Sequence, residues 1–352
     1  MAGGDTDRSE IKEYYGKTLQ SAADLQTNAC CCAETIPAEH LAILDEIDKE
    51  IKDRFYGCGS PIPPALEGCT VLDLGCGSGR DVYLASCLVG ADGFVIGVDM
   101  TDEQLAVARH HQEDQAKRFG LARPNTDFRQ GCMEDLASLG IADHSVDAVI
   151  SNCVINLSTR KEKVFSEIFR VLKPGGELYF SDVFAGRRVP VELQNDPLMK
   201  NECMGGAMYI EDFRRLLRGL GCPDYRVLAR RRIAIGNPEV EKKAGAVDFY
   251  SMTVRAFKIA SLEDICEDYG QVAYYLGTIP GHPWSFSLDD HHTFHTNRPM
   301  LVCGNTAAMV GETRYARHFR IVGDRSVHYG PFDCSSGAAK DAGQECSGNG
   351  CC

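Results

Sequence analysis

Asp73 stands two residues before the first of three glycines, Gly75, Gly77 and Gly79, which alternate at the end of the short apolar run starting at Val71. A buried parallel strand that halts at a glycine-rich turn and returns through a helix reads this way, and Arg80 and Asp81 open such a helix. Glycine is needed where a side chain would hold the backbone away from a ligand lying across the strand end. A dinucleotide loop carries its third glycine three residues after the second, a place held here by Arg80. That departure, with the acid at Asp73, argues against a pyrophosphate, which a carboxylate would repel, and for a ligand with a cationic end. Asp99, closing the next apolar run, is spaced to accept both hydroxyls of a ribose. Glu134, after a third run, could accept from an adenine amino group, with Met133 packed on the ring. Each glycine alone is an ordinary tight turn; acids at successive strand ends shift the weight.

The elements that must position these residues are written as alternating strand and helix signals from Thr70 to about Leu172, which predicts a parallel α/β sheet. Strands are expected over residues 93–98, ending at Asp99, and over 126–130, 146–151 and 177–183. Segments 225–235 and 246–259 are expected to pair antiparallel at the sheet edge. Thr101 with Gln104, and Thr159 with Glu162, have the spacing of a capping box at two helix starts. Lys173-Pro174-Gly175-Gly176 should stop the second of these helices. Ahead of the sheet, Leu41, Leu44, Ile47 and Ile51 predict one helix with a buried face, ending near Tyr56-Gly57-Cys58-Gly59. Pro61, Pro63 and Pro64 then make a stiff connector. The expected division is a helical cap over 1–60, the α/β domain over 61–259, a small β-rich module over 260–332 and a flexible tail rich in Cys, Gly and Ser over 333–352.

The glycine loop, Asp99 and the Leu-Lys-Pro-Gly-Gly turn before a strand, in this order, resemble the seven-stranded, Rossmann-like class I methyltransferase fold. That resemblance makes the ligand S-adenosylmethionine, whose ammonium end suits Asp73, and makes Gly75 and Gly77 part of its cradle.

Composition narrows the partners. Fifty acidic against 37 basic residues give a net charge of −13 over 352 residues, which argues against a phosphate-rich nucleic-acid partner. No unbroken apolar run is long enough to cross a bilayer, and Met1 to Glu10 lack the apolar core of a signal peptide, so a cytoplasmic protein without a membrane partner is expected. Seventeen cysteines in such a chain are expected to be mostly reduced thiols, and they lack the paired spacings of a zinc fold. Cys69, Cys76, Cys87, Cys132, Cys222, Cys266 and Cys303 read as small structural residues. Asp289, Asp290, His291, His292 and His295 imitate a metal cluster, but they alternate like a hairpin and are expected to be exposed.

A methyltransferase of this kind does little covalent chemistry; it holds the acceptor in line with the methyl group and excludes water. The acceptor should lie beyond the fourth strand, in Asn152-Cys153-Val154-Ile155-Asn156. An acceptor needing deprotonation would want His, Asp or Glu there, and the chain offers a thiol. Taken singly, Cys153 is a plausible buried strand-end residue and Cys203 a plausible packing residue. Four contexts change the reading: Ser21-Ala22-Ala23-Asp24-Leu25-Gln26-Thr27-Asn28-Ala29-Cys30, Tyr56-Gly57-Cys58-Gly59, Ser151-Asn152-Cys153-Val154-Ile155-Asn156-Leu157 and Glu202-Cys203-Met204-Gly205-Gly206-Ala207. These closely resemble arsenite methyltransferases, from about Tyr14 to Ile259 and more loosely to about Ile321.

The resemblance implies that Cys153 and Cys203 hold trivalent arsenic beside the methyl donor, with Cys58 as third ligand and Cys30 in relay and redox. It adds Tyr15, Tyr56, Met100 and Asn152 to the donor site, Tyr56 steering the sulfonium methyl through its ring face. Soft trivalent arsenic suits thiolates. With three sulfurs it keeps one lone pair, which can attack the methyl group. Electrons lost in that step would return through a Cys30–Cys58 disulfide, reset by thioredoxin or glutathione. The family has one cysteine where this chain has Cys30, Cys31 and Cys32, so either neighbour could substitute for Cys30. The implied protein is a monomer that takes arsenite or its thiol conjugates to mono- and dimethylated products. Its rivals are a methyltransferase for a sterol or quinone precursor and a non-catalytic arsenic- or metal-binding protein.

Overall fold

The computed structural model describes residues 36–55, 57, 60–197, 199, 204–234 and 238–334. Tyr15, Cys30, Tyr56, Cys58, Cys203 and the tail from residue 335 lie outside them.

The centre is a sheet of β1 (Thr70–Leu74), β2 (Phe94–Asp99), β3 (Thr126–Gln130), β4 (Val146–Asn152), β5 (Leu172–Ala185), β6 (Met208–Tyr209), β7 (Tyr225–Arg232) and β8 (Phe249–Phe257). Its strand order is β3-β2-β1-β4-β5-β8-β7, with the two-residue β6 paired to the end of β5. Strands β1 to β5 run parallel, and β8 and then β7 add antiparallel. Val71, Leu72 and Leu74 are buried, as are Val149 and Ile150, because helices cover both faces of a parallel sheet. This is the class I methyltransferase fold expected, and it puts the switch in strand order between β1 and β4. Ligands of such sheets sit in the crevice at the carboxyl ends of those strands.

Several local expectations fail for identifiable reasons. The predicted helix over Leu41 to Ile51 is two helices, α1 (Ala38–Glu46) and α2 (Lys49–Asp53). Asp48 divides them, because its side chain accepts the Glu50 amide and so starts a second helix. The Lys173-Pro174-Gly175-Gly176 turn lies within β5, where Val146 pairs Leu172 and Ala148 pairs Glu177 across a register shift. Thr101 caps the helix Asp102–His110 in position only; no side-chain cap bond forms, and its hydroxyl bonds Asp99. The helix expected from Thr159 begins at Lys161, and Ser158 Oγ accepts the Arg160 amide instead.

Beyond β8 the chain forms a three-stranded antiparallel sheet of residues 271–275, 299–302 and 319–322, two further two-stranded pairs, and the buried helix Gly304–Gly311. Its aromatic residues Phe286, Phe294 and Phe319 share one apolar cluster with Val254 and Phe257 of β8 and Phe180 of β5. The module is therefore packed into the core of the sheet. Glu177 of β5 fixes the seam. It accepts from Arg255 Nε at 2.5 Å and from the Tyr315 hydroxyl at 3.1 Å, and it pairs with Arg314. Arg255 and Glu177 are fully buried.

Asp289 and His292 correct the expectation of an exposed histidine hairpin. Both are buried; Asp289 accepts from Arg226 Nη1 at 3.1 Å and pairs with His292 Nδ1 at 2.9 Å. Burial opposes the ionised carboxyl, yet the His292 bond and the Arg226 charge hold Asp289 below the usual range. His291 and His295 are exposed.

Candidate functional site

The first turn after β1 closes on β2. The amides of Gly75 and Cys76 both donate to the Val98 carbonyl, at 2.8 and 3.1 Å, and that of Gly77 donates to Asp99 Oδ2 at 2.9 Å. Gly75 has φ of +73°, and a Cβ there would come within 2.4 Å of Val154. Gly77 has φ of +52°, and a Cβ there would meet nothing within 4 Å, because it would project into a cleft. Glycine at these places therefore keeps a backbone surface open to a ligand.

The space in and over the cleft is about 1150 Å³, part of it open solvent at the mouth. Asp73, Gly75, Gly77, Asp99, Met100, Met133, Glu134, Asn152 and Cys153 all line it. The nine described members of the expected site thus come together from the ends of β1, β2 and β4 and the loops after β2 and β3. The other five, Tyr15, Cys30, Tyr56, Cys58 and Cys203, fall outside the described residues.

The acids divide by partner. Asp81 is paired with Arg80, whose Nε reaches Oδ1 at 2.8 Å, and Asn152 Nδ2 donates to its Oδ2 at 3.0 Å. Glu134 accepts from Ser158 Oγ at 2.7 Å. Asp99 uses both oxygens on backbone amides, those of Thr101 and Gly77. Burial raises its pKa against the pull of those bonds. Asp73 is buried with no positive side chain bonded to it among the described residues. Burial, then the neighbouring charges of Asp81 and Asp99, push its pKa well up. A cationic ligand end would restore its charge, and a second oxygen lone pair on Asp99 remains for a hydroxyl. The cleft therefore fits a donor that is cationic at one end and a nucleoside at the other. Cys76 lies in the same cleft, but burial and then Asp99 and Asp73 hold its thiol well above the ordinary value, so it remains a protonated filler.

Cys153 is unlike the other thiols. It follows β4 directly, is 4% exposed and has φ of +56°, in the left-handed region that non-glycine residues rarely occupy. Such a conformation costs about 1–3 kcal/mol and persists where surroundings enforce it. Here its amide donates to the Ser181 carbonyl at 2.8 Å. It is disulfide-bonded, whereas Cys69, Cys76, Cys87, Cys132, Cys222, Cys266, Cys303 and Cys334 are free.

Asp182 is the support that sequence reasoning missed. Its carboxyl accepts the Asn156 amide at 3.1 Å, Asn156 Nδ2 at 2.7 Å and the Val183 amide at 2.8 Å, which pins the loop carrying Cys153. An acid inside the otherwise apolar end of β5 was the available signal. Burial raises its pKa from 3.8 to about 7, overcoming the amide bonds. The folded chain therefore binds a proton that the unfolded chain releases between those values. Stability from this group is complete below about pH 4, falls as pH rises and is lost above about pH 7, with a slope of at most about 1.4 kcal/mol per pH unit. Asp182→Asn does not titrate. In urea unfolding across this range, wild type should lose stability relative to Asp182→Asn as pH rises; a constant difference would mean that Asp182 is ionised throughout.

A family model described as a methyltransferase domain matches residues 65–221, and one described as the arsenite methyltransferase C-terminal domain matches residues 268–352. An arsenite methyltransferase of Aquipseudomonas alcaligenes is 51% identical over 332 residues, covering 94% of this chain and 95% of the relative. That of Homo sapiens is 38% identical, covering 95% and 88%. The crystal structure of an arsenic (III) S-adenosylmethionine methyltransferase from Chlamydomonas reinhardtii superposes with a TM-score of 0.83 at 52% identity, covering 85% of this chain and 100% of that one. Identity of this level along nearly the whole length extends through both the donor cleft and the C-terminal module, and the chain belongs to the arsenite methyltransferase family.

Proposed function

We propose that this protein transfers a methyl group from S-adenosylmethionine to thiolate-bound trivalent arsenic, giving mono- and dimethylated products that serve arsenic detoxification. One observation carries the reading: the sulfur-bearing Cys153 borders the same cleft as the glycine loop, Asp73 and Asp99, held there in a strained conformation. The relatives' activity supports the choice of arsenic over an organic acceptor.

The donor supplies an electrophilic methyl group on a sulfonium. Asp73 receives its ammonium end and Asp99 its ribose hydroxyls, while Glu134 and Met133 take the adenine. Together they fix where the methyl group points. Cys153, with Cys58 and Cys203, holds arsenic through As–S bonds and leaves its lone pair directed at that methyl carbon. As the As–C bond forms the C–S bond breaks, and both of its electrons leave with the donor sulfur. Arsenic is formally oxidised by two electrons, so two must return before another cycle. Tyr15, Tyr56, Met100 and Asn152 complete the donor site, and Cys30 relays the electrons.

The disulfide at Cys153 supports a thiol co-substrate. Its sulfur cannot bind arsenic until two electrons open the bond, and glutathione or a thioredoxin dithiol delivers them by exchange. No described helix is long and apolar enough to cross a membrane; the proposed enzyme is a monomer that works in the cytoplasm.

The test is incubation of purified protein with labelled donor, arsenite and glutathione, followed by speciation of products. Mono- and dimethylarsenicals are expected. A methylated quinone precursor without any methylarsenical would favour the organic-acceptor rival. Tight arsenite binding without donor turnover would favour the non-catalytic binder.

A further inference from the structure

We infer that Cys266, Cys303 and Cys334 form a second thiol site, in the C-terminal module, that takes trivalent arsenic independently of the methyl-transfer cleft. Sequence alone reads Cys266 and Cys303 as packing residues; the fold brings three separate segments to one point. Residues 267–268 pair antiparallel with residues 330–331, and the Phe332 amide donates to the Cys266 carbonyl at 2.8 Å. That pairing carries Cys334 to Cys266, and the Cys266 thiol lies in hydrogen-bond contact with both Cys303 and Cys334. None of the three is in a disulfide. Cys303 is buried, while Cys266 and Cys334 are half-buried, so the cluster is reached from solvent on their side.

The surroundings favour sulfur in its anionic form. Cys303 occupies the cap position of the helix Gly304–Gly311. Its Sγ accepts the Thr306 amide at 3.4 Å, lies 3.2 Å from the Thr306 hydroxyl and receives Arg226 Nη2 at 4.0 Å. Arg226 is 8% exposed, and its Nε is a buried donor without a partner among the described residues. Consistently, the Cys266 bond first, and then Arg226 and the Thr306 donors, lower the Cys303 pKa despite burial. An anionic sulfur flanked by two further thiols is a ligand set for a soft thiophilic centre. Trivalent arsenic enters such a set without redox change. Each As–O bond of arsenous acid is exchanged for an As–S bond; a thiol's own proton leaves with the hydroxyl as water, solvent supplies that proton where the sulfur is already a thiolate, and three exchanges release three waters. Cys303 lies against Arg226 of β7, the edge strand of the sheet, and none of the three thiols lines the donor cleft.

The experiment uses reduced full-length protein, arsenite as the probe, and desalting before bound arsenic is counted per chain. Cys266→Ser/Cys303→Ser should bind about one arsenic fewer per chain than wild type, and the buried lone thiol variant Cys222→Ser should bind as wild type does. Serine caps a helix well, so the helix start is preserved. A second measurement needs no variant: arsenite should protect Cys266 and Cys334 of the wild type from alkylation, read by peptide mass spectrometry. Undiminished stoichiometry in a folded double variant, or alkylation indifferent to arsenite, overturns the site. Neither readout involves methyl transfer, so failure here leaves the proposed activity untouched, and loss of that activity leaves this site standing.

Discussion

Cys153→Ser is expected to lower methylarsenical formation by at least about 100-fold while S-adenosylmethionine affinity changes by less than about threefold. The two effects separate because the residue borders the donor cleft without contributing a group that the donor needs. Serine matches cysteine in its Cβ, so the left-handed φ of +56° costs both residues alike, and the amide bond to the Ser181 carbonyl remains. What changes is the ligand. A neutral hydroxyl is a hard and weak donor to arsenic, so a bound arsenical loses one of its bonds and the fixed direction of its lone pair. In-line attack tolerates little misplacement, since an error of about 1 Å can cost about 100-fold. Donor affinity is read by calorimetry and products by arsenic speciation. A variant that methylates arsenite at near wild-type rates would remove Cys153 from the ligand set. A variant that loses donor binding as well would mean that the loop has collapsed, and the activity loss would then say nothing about arsenic. Under reducing conditions the comparison also excludes any contribution from the disulfide at Cys153.

The sheet was legible because its strands are buried on both faces. Residues 126–130 were bounded correctly, β2 was shifted and β4 lengthened by a single residue; in β2 a continuous apolar run ending in an acid leaves little freedom. Asp73 and Asp99 followed from that, because they are defined by being where strands end, whereas Asn152 came to the donor site from the resemblance. What local pattern could not supply was anything decided by a partner far along the chain. Asp48 splits a helix whose apolar spacing runs straight through it. Asp182 is an acid in an apolar strand until Asn156 closes over it. His292 and Cys303 were read as an exposed residue and a filler, since the residue that reorganises both is Arg226, more than sixty positions earlier. The four cysteine contexts came from resemblance, and three of those thiols lie outside the described residues.

Glu177→Ala should cost about 3–5 kcal/mol of stability, the largest effect of any single change at the seam between the sheet and the C-terminal module. Glu177 is fully buried between two guanidiniums, Arg255 and Arg314, and no water can replace it. Alanine would leave both cations uncompensated, and Arg255 is held in place by further bonds to the Leu288 carbonyl at 2.9 Å and the Tyr315 hydroxyl at 2.6 Å. These cannot neutralise its charge. Glu177→Gln keeps an acceptor for one guanidinium but not the charge, so its loss should be intermediate. The unfolding should also be uneven. Parallel pairing of β1 to β5 does not depend on Glu177 for its apolar core, whereas residues 285–288 and 314–319 reach the sheet through Arg255 and Tyr315. Hydrogen exchange should therefore quicken first in the strands around Phe286 and Phe319. Arg314 additionally donates from Nε to the Ala65 carbonyl at 3.1 Å, in the connector that leads into β1 and its glycine loop. If that tie transmits the loss, donor affinity falls together with exchange protection in the module. If protection falls and donor affinity holds, the seam secures the module alone. A loss below about 1 kcal/mol would mean that the two arginines find other partners, and that the carboxylate is not what fastens the module to the sheet.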